Sequence, residues 1–411
     1  MMKIVHISTE AAENYAYVRL HYALLSKGVD SKFIVLGEKE DLKEVYVLQN
    51  DLYNKSIGVL RGKIEKYRLS KESFQYDSPF ATGNTGYSLI NHPLVQEADI
   101  IHIHWIRNIL SISGIGELIK KGKKIVWTCH DSWAFTGGCY VRYGCTKYCR
   151  ECGECPELYS NKRKDLSYKV LKKKRKHWAN NDMTFIAPSD WMKRNIQESY
   201  LFNKNKVYVI PNALDTDIYY RKKYEKENKI NLLFGAADAK VYYKGFEYLV
   251  QLLKKMMDQD ADATQKYCLN FVGTDKIDNP ILNLFECKFW GRIAKQKEMA
   301  EIYSKTDAFI CPTLDDNLPG MVMESMACET PVVAFATGGV PEMIEHKVNG
   351  YIAEYKNAED LLNGLEWILQ NNREGIVGRK AREKVLSEYS FDTISNQHIE
   401  LYKRIIQNEV K

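Results

Sequence analysis

Apolar residues in this chain recur in two patterns. Short runs rich in Ile, Val and Phe alternate with longer stretches in which Leu, Ile or Met returns every three or four positions. The runs are strand candidates and the stretches are amphipathic helices. In the first half the strands expected are Lys3–Ile7, Ser31–Leu36, Ile100–His104, Lys124–Thr128, Met183–Ala187 and Val207–Ile210. Between them lie helix candidates Tyr17–Lys27, Leu94–Ala98, Leu110–Lys120 and Asp190–Ser199, the last capped by Ser189 or Asp190. The second half starts the alternation again. Its strands are Ile230–Gly235, Tyr267–Val272, Ala308–Cys311, Pro331–Ala334 and Gly350–Ile352, and its helices are Phe246–Met257, Lys297–Ser304, Met321–Ala327, Pro341–Ile344 and Ala358–Gln370. The tail, Ser390–Lys411, carries an apolar face of Ile394, Ile399, Leu401 and Ile405. Strands alternating with helices predict parallel sheets covered on both faces. The expected fold is α/β, with two doubly wound Rossmann-like domains and a cleft between them. The first spans 1–205 and takes the tail helix 390–411; the second spans 206–389. Ligands of such sheets lie beyond the carboxyl ends of the strands.

Composition narrows the function class. The chain has 411 residues, enough for about two or three domains. Lys and Arg exceed Asp and Glu by 59 − 53 = +6, too small an excess over this length to argue for nucleic acid. Hydrophobic residues at 45% and charged residues at 27% exclude a disordered chain. No apolar run reaches the roughly 20 residues of a membrane span, and the amino terminus lacks the apolar core of a signal peptide. A cytoplasmic location is expected.

Three strand-to-helix loops can carry chemistry. The first runs from Pro312 through Asp315, Asp316, Asn317 and Pro319-Gly320 into a helix whose opening amides, Gly320, Met321 and Val322, suit a phosphate. Glu324, one turn in, suits a ribose diol, or caps its own helix. The second is Gly338-Gly339-Val340-Pro341-Glu342. The third runs from Gly235 to Lys244-Gly245-Phe246, where Lys244 can reach a diphosphate or remain a solvated surface lysine. None is a GxGxxG or GxxxxGK[ST] motif, against a nicotinamide dehydrogenase or a P-loop nucleotidase. In the first half, His130-Asp131 follows a strand end, where a ligand would lie, although a core histidine is the plainer reading.

Taken in order, Asp316-Asn-Leu-Pro-Gly-Met-Val-Met-Glu324, Ala327-Cys-Glu-Thr-Pro-Val-Val-Ala and Gly338-Gly339-Val-Pro-Glu342 resemble the donor-site signature of group 1 (family 4) retaining glycosyltransferases. Lys244-Gly245-Phe246 is similar to that family's diphosphate lysine. Gly291-Arg292-Ile293 resembles its nucleobase loop, and Ile210–Asp217 the segment after its interdomain hinge. Trp127–Trp133 with Phe135–Cys139 resembles a bacterial surface-polysaccharide branch. The likeness covers nearly the whole chain. It implies the GT-B fold and transfer of a sugar, with retention of configuration, from a UDP- or GDP-sugar to a hydroxyl of a saccharide acceptor, such as a polyprenyl-linked one. It implies a donor site of Gly235, Lys244, Arg292, Ile293, Asp316, Asn317, Gly320, Met321, Val322 and Glu324. Lys244, His130, Asp131 and Asp316 would be catalytic. Lys244 and the helix amides would stabilise the leaving phosphate, His130 would meet the donor sugar and Asp131 would orient the acceptor. No metal is needed for catalysis.

Three departures stand out. Glu10–Tyr17 replaces a glycine-rich loop; Ala239 stands where many relatives have an arginine, leaving Lys240 or Arg292 to assist Lys244; and Asp316 replaces a glutamate. A GT-B epimerase or phosphorylase, or a non-catalytic nucleotide-sugar binding protein, stays open.

Two further segments call for explanation. Five of ten cysteines fall between Cys139 and Cys155. Cys139, Cys145, Cys152 and Cys155 suit a structural zinc site, with Cys149 spare; the alternative is a loop of unligated thiols. The stretch 161–176 carries nine Lys and Arg against one acid, Asp165. It reads as a basic, partly amphipathic helix for an anionic membrane surface, or as a solvated helix. It has too few aromatics for RNA stacking.

Overall fold

The computed structural model describes residues 2–37, 42–49, 52–76, 79–178, 181–225, 228–236 and 241–408. The chain forms two compact units, Met1–Pro211 with Ile394–Lys411, and Asn212–Thr393. Each is built on one all-parallel sheet.

The first sheet comprises β1 (Lys3–Ser8), β2 (Asp30–Val35), β3 (Val45–Val47), β4 (Ile100–Ile103), β5 (Ile125–Thr128), β6 (Thr184–Ala187) and β7 (Val207–Val209). Its order is β3-β2-β1-β4-β5-β6-β7, so the winding reverses between β1 and β4. The second comprises β8 (Ile230–Gly235), β9 (Tyr267–Val272), β10 (Glu286–Phe289), β11 (Ala308–Cys311), β12 (Val332–Phe335) and β13 (Tyr351–Ala353). Its order is β10-β9-β8-β11-β12-β13, and it reverses between β8 and β11. Beyond the carboxyl ends at such a reversal the flanking loops part and leave a crevice. That places Thr9–Tyr17 and His104 at one reversal and Val241–Gly245 and Pro312–Gly320 at the other.

The strands read as continuous apolar runs because both of their faces are covered. In β8, Leu233 packs into one core while Leu232 and Phe234 pack into the other; in β12, Val332 and Ala334 divide from Val333 and Phe335 in the same way. The core helices match their apolar spacing. Ser189 caps the helix Asp190–Glu198, its side chain accepting from the Met192 amide.

Among the described residues, β3, β10 and the helices Leu52–Leu69, Ala263–Lys266 and Ile376–Glu388 lack a counterpart in the periodicity. β3 and β10 are short edge strands. Leu52–Leu69 turns much of its apolar content outward, with Leu52, Val59, Leu60 and Tyr67 exposed. The basic stretch also differs from expectation. Its helix is Leu166–Trp178, and Val170, Leu171, Lys174 and Trp178 face inward. Lys174 is 0% exposed. It donates to the Trp133 and Thr136 carbonyls, and its ammonium stands 3.6 Å from the Trp133 ring centroid. Burial lowers its pKa to about 7.

Candidate functional site

In the second unit the three loops converge. The segment Val241–Gly245 is stitched to the loop after β11, where the Tyr243 carbonyl accepts from the Leu314 amide and the Thr313 hydroxyl. Gly245 makes this approach possible: it has φ +71°, and a Cβ there would lie 1.8 Å from the Pro312 carbonyl oxygen. The turn Gly338-Gly339 packs beneath Asp316 in the same way. A Cβ on Gly338 would meet the Asp316 carbonyl at 1.6 Å, and the Gly339 amide donates to that oxygen.

Lys244 is thereby held against Asp316, Nζ to Oδ2 2.8 Å, both side chains being partly exposed. Burial opposes the lysine's charge, but the Asp316 carboxylate outweighs it and the net pKa shift is upward. A lysine so held is a fixed cation at any physiological pH.

The helix Gly320–Ala327 starts beside this pair. Gly320 and Met321 remain accessible at its start, and Asn317 and Glu324 are buried. The Val322 amide is already used, donating to the Pro319 carbonyl at 3.1 Å. The anion-facing turn is thus narrower than three amides. The end of the Met321 side chain lies over Gly235, where a Cβ would meet it. Glu324 Oε2 accepts from the Tyr303 hydroxyl at 3.0 Å, which ties it to a neighbouring helix. Arg292 is exposed beside Gly291, which has φ +61°, and Ile293 packs against the core that holds Val322. Ala239 and Lys240 lie outside the described residues.

In the first unit His130 stands at the head of a line of imidazoles. Its Nε2 is 3.2 Å from His104 Nδ1, and His104 Nε2 is 2.9 Å from His6 Nδ1. His102 joins Thr128 Oγ1 at 2.7 Å to Tyr402 Oη at 2.6 Å, Tyr402 coming from the tail helix Phe391–Ile406. Register explains the line. His6 pairs with His102 across β1 and β4, and His104 follows two residues on, so the side chains share a face. Burial, with like neighbours, holds all of them neutral; His130 and His398 are lowered to about 4. Asp131 Oδ1 accepts from the Trp133 amide at 2.7 Å, and burial pushes its carboxyl up to about 7. The unusual residue Tyr17 lies over this line, its ring 5.3 Å from that of His104 and 5.6 Å from that of His130. A sequence search for isolated catalytic histidines finds His130 but misses His6, His102 and His104; two-residue spacing on paired central strands is the signal for them.

Comparison with known proteins agrees with this geometry. Residues 16–218 match the model of Glycosyltransferase Family 4, and residues 229–371 match that of Glycosyl transferases group 1. The chain belongs to the group 1 (family 4) glycosyltransferases. It is 28% identical over 211 residues to an uncharacterized glycosyltransferase of Haemophilus influenzae, a match spanning 50% of this chain and 56% of that protein. It is 22% identical over 433 residues to WcaC of Escherichia coli K12, provisionally named a colanic acid biosynthesis glycosyl transferase, covering 98% of this chain and 100% of that one. The crystal structure of Anabaena Alr3699/HepE with UDP-glucose superposes with a TM-score of 0.63 at 14% identity, over 98% and 100% of the two chains. The fold is GT-B. Among the described residues no helix is long and apolar enough to cross a membrane.

Proposed function

We propose that this glycosyltransferase moves a sugar from a UDP- or GDP-sugar to a hydroxyl of a saccharide acceptor, with retention of configuration and without a catalytic metal. The observation that carries the reading is the Lys244–Asp316 pair held beside the start of Gly320–Ala327, with Glu324 one turn in. As the glycosidic bond breaks, negative charge grows on the β-phosphate. Lys244 and the Gly320 and Met321 amides are preorganised to receive it, and such donors contribute several kcal/mol. Glu324, fixed by Tyr303, accepts from the ribose diol. Asp316 stands between Lys244 and the sugar. The β-phosphate oxygen takes the acceptor proton on the same face as the departing bond, so no protein nucleophile is required. His130 contacts the sugar and Asp131 orients the acceptor. The UDP-glucose complex of HepE supports a uridine donor.

The acceptor fits a lipid-linked saccharide in surface-polysaccharide assembly, a reading supported by the whole-length likeness to WcaC. Lys162, Arg163, Lys164, Lys169, Lys172, Arg175 and Lys176 bring charge for an anionic bilayer, while the apolar contribution comes from Val59, Leu60 and Tyr67 of Leu52–Leu69. Calorimetric titration of UDP and GDP into the wild type and Glu324→Ala tests the donor reading. Binding of one nucleotide, lost in the variant, supports it; equal binding by both proteins removes Glu324 from the site. Turnover of the matching sugar nucleotide, with the product anomer read by NMR, separates a transferase from a binding protein.

A further inference from the structure

The clustered cysteines take no part in sugar transfer, yet four of them meet. Cys139, Cys145, Cys152 and Cys155 line a single cavity of about 20 Å3 with Thr136 and Ser167. That space holds one ion or water and no organic ligand. Cys149 does not line it; it ends the turn Lys147–Cys149 and packs against the apolar core of the first sheet.

The backbone is folded tightly to bring the four together. Gly153, inside the Cys152–Cys155 bend, has φ +141°, and a Cβ on it would lie 2.1 Å from the Arg163 carbonyl. Gly138, just before Cys139, has φ +134°, and a Cβ on Gly137 would meet Cys152 Cβ at 2.9 Å. Asp165, the one acid of the basic stretch, accepts from the Cys155 amide at 2.8 Å and from the Ser167 hydroxyl at 2.7 Å.

Donors face the sulfurs. The Gly137 amide serves Cys152, and the Leu158 and Glu157 amides serve Cys155. Such donors favour thiolates. Burial and the neighbouring thiols oppose them, and these push Cys139 up to about 12. The buried Lys174 ammonium, attracted to Cys139 and Cys152, supplies a positive charge.

We propose that Cys139, Cys145, Cys152 and Cys155 bind one zinc ion as four thiolates, pinning the loop that carries His130 and Asp131. Four Zn–S bonds form as four thiol protons leave to solvent. The metal set then carries a charge of −2, beside Arg142 and Lys147 in the lining of the same cavity. Among the described residues no three of these sulfurs lie within 4.8 Å of one another, so the ion draws them inward by side-chain rotation. The link to the site is direct: the Ser132 amide donates to the Tyr140 carbonyl, tying the residue after Asp131 to the residue after Cys139. The trio His6, His102 and His104 does lie within 4.8 Å, but both nitrogens of His102 and of His104 are already hydrogen-bonded.

The test is metal content by plasma emission spectrometry on the full chain purified without chelator. About one zinc per chain is expected, kept in Cys149→Ser and lost in Cys152→Ser/Cys155→Ser. Wild type without metal, or equal loss in Cys149→Ser, overturns the assignment. If the double variant fails to fold, cobalt(II) added to apoprotein prepared from the wild type decides. Intense visible bands of tetrahedral cobalt with sulfur-to-metal charge transfer support the site; weak octahedral bands overturn it. Fewer than ten titratable thiols in denaturant would indicate disulfides and also overturn it. None of these readouts depends on donor binding.

Discussion

The two units solve the problem of a polar site in opposite ways. In the second, charges are paired at the rim of the sheet: Lys244 against Asp316, over turns where only glycine fits. In the first, a line of uncharged imidazoles runs through the core, joined ring to ring from His6 through His104 to His130. A rim pair keeps its charge for a ligand at a modest desolvation cost. A buried line must stay neutral, since ionising any member inside the sheet costs far more. The difference teaches where each unit is vulnerable: one to loss of a charge, the other to gain of a proton.

The largest expected effect follows from that proton. Eight of the nine histidines belong to the first unit; all eight have pKa values below the ordinary 6.5, and His6, His102, His104, His130 and His398 are lowered most. A depressed histidine makes the unfolded state bind more protons. Its folded state therefore loses stability as pH falls below 6.5, by about 1.4 kcal/mol per pH unit for each group until its folded pKa is reached. Summed over these five groups, on the order of 10 kcal/mol should be gone by pH 5, comparable with the whole stability of a domain. Lys244 behaves in the opposite sense: its raised pKa gives stability fully present below 10.5 and lost only above it. Calorimetric melting at pH 7.5 and pH 5 should show the first unit shifting strongly and the second little. Equal shifts in both would break the contrast.

The next effect belongs to the rim. Lys244→Ala should lower kcat by about 100- to 1000-fold, or roughly 3–4 kcal/mol, with KM changed much less, because the charge it answers grows only in the transition state. Steady-state kinetics decide. A loss carried by KM alone would make Lys244 a binder of ground-state diphosphate. Gly338→Ala should come third. Its methyl cannot fit 1.6 Å from the Asp316 carbonyl, so the loop must shift, at a cost of about 1–3 kcal/mol in the stability of the second unit. An unchanged melting temperature would mean that the turn is not a fixed support.

The same contrast explains what could be read from the chain. The central strands, their helices and the Lys244, Asp316 and Glu324 loops were legible, because period, glycine turns and motif spacing all point to one parallel sheet. β3 and β10 were not, since β3 follows the charged stretch 38–44 and β10 carries Glu286 and Lys288 among its four residues, so neither reads as an apolar run. Leu52–Leu69 was hidden by apolar residues on its solvent face. Lys174 was counted with a basic surface because a lysine's burial depends on the carbonyls it meets, and Trp133 and Thr136 are about 40 positions away. The histidine line needed strand register, which one strand alone does not disclose.

The smallest effect probes whether the rim is as rigid as its glycines suggest. Glu324, the residue proposed to meet the ribose diol, accepts from the hydroxyl of Tyr303 on the neighbouring helix Gln296–Lys305. Tyr303 is 0% exposed, so Tyr303→Phe keeps the packing and removes only the hydrogen bond. A hydrogen bond to a carboxylate contributes about 1.5–3 kcal/mol, but Glu324 can recover part of that by turning toward solvent at the helix start. Nucleotide affinity should fall roughly 5- to 10-fold, equivalent to about 1–1.4 kcal/mol, with kcat within a factor of two. Calorimetric titration of the nucleotide reads the first and steady-state rates the second. If affinity is unchanged, the helix alone aims Glu324, and the rim owes its order to its backbone turns. If kcat falls with affinity, Glu324 also shapes the transition state, and its place beside Lys244 is part of the chemistry.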